Sequence, residues 1–169
     1  MARWVHFTPS MTTLDASNKP PPRTVVLSGS TLSRVDVGLT ISFVARSIWN
    51  QIEERAGLVI ELDSWGPVVA DDTLLKRLLQ SMVLEVIDGV PPGAPELHVL
   101  SLAARAGPDE TLAIDVRHRM RGGASVDGFS KKSELEEWDH QAKQFAARVE
   151  AIDSPPEERC YRVMLQLAI

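Results

Sequence analysis

The chain has 169 residues, a single cysteine and a formal net charge of -5, with 44% hydrophobic and 24% charged residues. That length suits one domain able to bury its own core, and a lone Cys160 excludes an internal disulfide or a cysteine-rich zinc site. The acidic balance argues against a general nucleic-acid binder, which needs a basic surface to displace counterions.

The four histidines, His6, His98, His118 and His140, are scattered without metal-ligand spacing. No apolar run approaches the ~20 residues that cross a bilayer, and Met1 to Ser10 carries no signal-peptide core. No membrane contact is expected, and a soluble, cytoplasmic protein is.

Residues 1–32 read as a flexible arm rich in Ser, Thr and Pro, with Trp4 and Val5 apolar enough to dock. Pro20-Pro21-Pro22 favours an extended, hydrated chain, with room for one short strand at Thr24 to Leu27. The folded domain is expected over 33–169. Ile41, Val44, Ile48 and Ile52 recur at helical spacing, predicting a helix from Val37 to Ala56 that Gly57 ends. Leu58 to Leu62 reads as a strand. Asp71-Asp72-Thr73 can cap a second helix running to about Asp88, with Leu75, Leu78, Leu79, Met82, Val83 and Val86 on one face. Gly89 and Pro91-Pro92-Gly93 stop it.

Two strands follow, Glu96 to Ala103 and Thr111 to Arg117, joined as a hairpin by the turn residues Gly107-Pro108-Asp109. After a loop over Gly122 to Ser130, Ser133 and Glu136 form a capping box for a third helix. Its buried stripe is expected to be Leu135, Trp138, Ala142, Phe145 and Val149. A last strand runs from Cys160 to Ile169. This order predicts an α/β (α+β) fold, a two-layer sandwich with helices on one face of a mixed or antiparallel sheet.

The order and several local patterns resemble the GHKL ATPase superfamily, and within it the ATP-binding domain of histidine kinases, whose sandwich is of the Bergerat type. The likeness covers roughly residues 33–169. It begins at Arg34-Val35-Asp36-Val37 and continues through Glu53 to Leu62. The most specific match is Val69-Ala70-Asp71-Asp72-Thr73-Leu74-Leu75, leading to Glu85-Val86-Ile87-Asp88-Gly89. Active members usually read Asn-Ala-Ile-Asp-Ala there. By this resemblance Glu85 replaces the magnesium-binding asparagine. One turn earlier Ser81 stands where the ATP-hydrolysing branches carry a glutamate general base.

Leu112 to Arg117 resembles the strand delivering the family's Asp-x-Gly-x-Gly motif, which here reads His118-Arg119-Met120-Arg121-Gly122. His118 replaces the aspartate that accepts from the adenine amino group, Met120 replaces a glycine, and only Gly122 remains. The glycine-rich lid would fall on Ser130 to Glu137, which has no glycine. A phosphate cradle needs backbone amides at glycine-permitted angles. Tyr161 to Leu167 is similar to the family's closing strand.

The resemblance therefore implies a kept scaffold with rewritten nucleotide positions at Ser81, Glu85, Asp88, His118, Met120 and Gly122. The function expected is a non-catalytic, kinase-like module that binds a signalling protein (a kinase, response regulator or other regulator) in bacterial signal transduction, with no cofactor. The alternative is a divergent histidine or serine protein kinase domain that still binds ATP and magnesium, with Glu85 as metal ligand. A third reading gives partner binding to the proline-rich arm.

Glu85 is open to two readings: a remodelled magnesium site, or a solvated polar stripe with Arg77 as ion partner. Arg117, Arg119 and Arg121, with Lys131 and Lys132 beyond the loop, are the candidate contacts for an anionic partner; otherwise they are a solvated strand end. His140 is expected to be exposed, but Trp138-Asp139-His140-Gln141-Ala142 lacks the phospho-accepting pattern. Cys160 is expected to be a buried small hydrophobe, and Leu84 an exposed candidate contact. No spacing supports a nucleophilic triad.

Overall fold

The structure, a computed structural model, describes residues 31–64, 66–123, 125–126 and 132–168, without the side chains of Lys132 and Ser133. The arm over residues 1–30, with its expected strand at Thr24 to Leu27, lies outside the described residues.

The chain begins with strand β1 (Ser33–Asp36) and helix α1 (Val37–Ile52). Asp36 caps α1, accepting from the Leu39 amide at 2.9 Å, which satisfies one of the orphan donors of the first turn. The stripe Val37, Ile41, Val44, Ile48 and Ile52 is buried, as its spacing predicts. The helix stops at Ile52, four residues before Ala56, and Gly57 opens strand β2 (Gly57–Leu62) instead of closing the helix.

Strand β3 (Pro67–Ala70) pairs with β1 as a small antiparallel sheet. Helix α2 (Asp72–Val86) follows, its Asp71 cap accepting from the Leu74 amide at 3.0 Å. All six residues of its predicted apolar face are fully buried. It ends two residues short of Asp88, and the chain turns away at Gly89, whose φ of 78° suits a residue without a Cβ.

Strands β4 (His98–Ala106) and β5 (Thr111–Met120) form the expected hairpin, but each reaches three residues further than the sequence suggests. Helix α3 (Lys132–Lys143) begins one residue before Ser133, so that residue is not at the expected cap. The helix is also shorter than its apolar spacing predicts. After Lys143 the chain turns through Ala146, at φ 56°, into strand β6 (Arg148–Ile152). Phe145 and Val149 are buried as expected, but from that turn and from β6 rather than from a helix. Strand β7 (Glu158–Gln166) completes the fold.

The main sheet has the order β2-β4-β5-β7-β6. Only β2 and β4 run parallel, so the sheet is mixed. Its helix-side residues, among them Leu100, Leu102, Ile114, Val116, Val163 and Leu165, pack against α1, α2 and α3 in one core. Trp138 of α3 meets Tyr161 of β7 edge-on at 5.1 Å and donates its indole N–H to Ser81 Oγ of α2 at 3.0 Å. The two-layer sandwich is the fold the sequence order implies.

The opposite face of the sheet is built from ion pairs. Asp115, fully buried in mid-β5, accepts from Arg162 Nε at 2.6 Å and from its Nη2 at 3.0 Å. The two residues face each other in the β5–β7 register, so the fork meets the carboxylate two-pronged. Removing one partner strands a buried charge, which costs far more than the intact pair contributes. Arg162→Met is therefore expected to lower urea-measured stability by about 3 kcal/mol or more. Asp115→Val combined with Arg162→Met should recover most of that loss. Two losses that simply add would show that the carboxylate is not stranded.

Candidate functional site

The C-terminal turn of α2, the start of β4, the end of β5 and the start of β7 meet at one end of the sandwich. Leu100 faces His118 across β4 and β5, and His98 faces Met120. His118 also faces Arg159 of β7. Alternation puts His98, His118, Met120 and Arg159 on the helix side of the sheet. Together with Asp88 and Val90 they line a cavity of about 270 Å³.

His118 governs the chemistry of this cavity. It is 1% exposed, and its Nε2 lies 3.0 Å from His98 Nδ1, with the rings stacked at 5.2 Å and tilted by 26°. One nitrogen donates and the other accepts, as the tautomers dictate. Burial lowers the His118 pKa to about 4, with His98 and Arg159 adding to the effect. The Val86 backbone works the other way, although Nδ1 makes no hydrogen bond of good geometry. His118 is neutral at physiological pH, and its Nε2 is already engaged.

The other resembled positions are also committed. Ser81 accepts the indole N–H of Trp138. Glu85, half-buried on α2, faces Glu134 of α3. Desolvation raises the Glu85 pKa, the hydrogen bond and charge of Glu134 and the charge of Asp88 raise it further, and Arg159 partly offsets them. Arg77, the ion partner expected for Glu85, is exposed and is not among the groups acting on it.

At the positions singled out by the resemblance, His118 is a buried imidazole against His98, Met120 lines the cavity, and Glu85 faces a second carboxyl. No group of three or more His, Cys, Asp or Glu among the described residues is arranged to hold a metal ion.

The basic cluster divides. Arg117 points to the open face of the sheet, 3.7 Å from Asp115 and 3.2 Å from Glu158, so it takes part in the ion pairs of that face. Arg119 and Arg121 are exposed. With Val99, Glu157, Gly122 and Gly123 they line a groove of about 460 Å³. The two glycines have φ of 89° and 74°, which lets the backbone turn sharply there. Lys131 and the Lys132 side chain lie outside the described residues, as do residues 127–129 of the loop and residues 130–131 at the start of the expected lid.

His140 is exposed and Cys160 is buried, with burial pushing its thiol pKa up. Leu84 is exposed. His98 and Glu134 were not singled out by sequence. The signal for His98 was its alternation with Leu100 and Leu102, which places it on the core face. No local pattern marks Glu134 as the neighbour of Glu85.

No family model and no curated protein matches the sequence. Solved structures do match. The Acinetobacter baumannii histidine kinase AdeS shares 11% identity with a TM-score of 0.60, over 82% of this chain and 68% of that one. A nucleotide-free catalytic domain of histidine kinase ThkA shares 12% identity with a TM-score of 0.61, over 80% of this chain and 96% of that one. Full-length ShkA in complex with AMPPNP shares 15% identity with a TM-score of 0.61, over 82% of this chain and 32% of that one. The chain thus has the fold of histidine-kinase catalytic domains. No helix among its described residues is long and apolar enough to cross a membrane.

His118 makes the fold sensitive to acid in a definite window. Above its ordinary pKa of 6.5 the ring is neutral whether the chain is folded or not. As pH falls below 6.5 the unfolded chain takes up the proton first, and folding loses roughly 3 kcal/mol by the time pH reaches about 4. Denaturant titrations across that window should show a smaller loss for His118→Asn than for the wild type. Equal losses in the two proteins would place the acid sensitivity elsewhere.

Proposed function

We propose that this chain is a non-catalytic, histidine-kinase-like domain that acts in bacterial signal transduction by binding another protein, using no nucleotide or metal. The observation that carries this reading is the buried His98–His118 contact at the end of β5. By the resemblance, His118 stands where the family carries the aspartate that accepts from adenine. The carboxyl pair of Glu85 and Glu134 adds a second obstacle, because acidic groups disfavour a neighbouring triphosphate.

The groove at Arg119 and Arg121 is the proposed contact. Two exposed guanidiniums beside a glycine turn suit an acidic or phosphorylated surface on a kinase, response regulator or other regulator. Pairing of this kind steers association and weakens with salt.

The test is a charge swap. Arg119→Glu combined with Arg121→Glu should weaken binding of a partner identified by in-cell crosslinking at least about tenfold. The wild-type complex should also loosen as ionic strength rises. A double variant that binds as tightly as wild type would remove this groove as the contact.

A further inference from the structure

The two edges of the main sheet differ in a way that bears on self-association. The β6 edge is five residues long and carries Arg148 and Glu150, joined at 3.5 Å. Charges on an edge strand discourage pairing with another chain. Among the described residues the β2 edge has no such protection. Its sequence Gly57-Leu58-Val59-Ile60-Glu61-Leu62 leaves Ile60 and Leu62 42% and 41% exposed. Its one charge, Glu61, is held within its own sheet by Arg105 at 3.3 Å.

The apolar surface continues from this edge onto α1. Leu58, Ile60 and Leu62 lie opposite the core residues Leu100, Leu102 and Ala104 of β4, so they stand on the helix side of the sheet. The Leu62 side chain lies close to Gly38, 3.7 Å from where a Cβ would be. Eleven residues on, the same stripe of α1 presents Trp49, also exposed. Trp49 therefore stands toward the Leu58 end of β2 and Gly38 toward the Leu62 end.

We infer that β2 pairs with β2 of a second copy of this chain, antiparallel about a two-fold axis at Ile60, joining two five-stranded sheets into one. The strand is self-complementary in that register. Ile60 faces its own counterpart, and Leu58 faces Leu62 of the other copy on the helix side. Glu61 falls opposite Val59, so no like charges meet across the junction. Trp49 of each copy then stands near Leu62 of the other. The symmetric use of one patch on both subunits is what a two-fold interface requires.

The experiment uses the full chain in sedimentation and light scattering over a concentration series. Wild type is expected to dimerise reversibly. Ile60→Lys, which opposes two ammonium groups on the axis, should weaken the dimer at least about tenfold. Oxidative crosslinking reads the register even if that variant folds poorly. Facing residues on paired antiparallel strands have Cα atoms about 4.5–5.5 Å apart, within disulfide reach. Ile60→Cys should therefore give a covalent dimer, while Val59→Cys should not, and the native Cys160 is buried. A chain that stays monomeric at every concentration would overturn the inference. So would a dimer that tolerates Ile60→Lys and is not trapped by Ile60→Cys.

Discussion

Strand β5 runs through the middle of the sheet, and its two faces must be neutralised by different means. On the helix side Leu112, Ile114 and Val116 enter the core, and the run ends in His118. On the other side Asp115 is fully buried without a helix above it. The Arg162 fork answers that charge from β7, and Arg117 and Glu158 extend the answer along the same face. A buried carboxylate is tolerable only with such partners. The register of β5 against β7 is therefore fixed by charge as well as by apolar packing.

The same register decides the fate of the site. With Asp115 set on the open face, alternation places His118 inward. His98 meets it from the start of β4. The two imidazoles line the cavity at this end of the sandwich together with Met120 and Arg159. On α2, Ser81 accepts from the Trp138 indole and Glu85 faces Glu134. Each of these positions is tied into packing between α2, α3 and the sheet.

Much of the fold was legible because its helices are long and strongly periodic. The α2 stripe from Leu75 to Val86 and the Asp71 cap came directly from spacing and chemistry. The short strands β1 and β3, four residues each, were missed as strands because so few residues cannot show an alternation. The β6 strand was hidden by Phe145 and Val149, which happen to continue a helical spacing. The turn at Ala146, in a left-handed conformation that alanine rarely takes, gave no warning.

The site was legible in outline only. Resemblance located Ser81, Glu85, His118 and Met120, and the structure brings the last two together in one cavity. It could not show what meets them, because His98 and Glu134 come from distant segments and carry no local signal. The basic run from Arg117 to Arg121 looked uniform in sequence. Strand alternation sends His118 inward and leaves Arg117 and Arg119 on the open face, where Glu158 of β7 lies 3.2 Å from Arg117.

The central proposal is that the end of the sandwich does not accept a nucleotide. Calorimetric and thermal-shift titration of the full chain with a non-hydrolysable ATP analogue and magnesium tests it most directly. A ligand that binds only the folded state would raise stability by about 2.7 kcal/mol at a hundredfold excess over its dissociation constant. The account predicts no binding heat and no shift at millimolar nucleotide. A saturable heat with a rise in melting temperature, both lost in Glu85→Ala, would contradict it and restore the domain as a nucleotide-binding one.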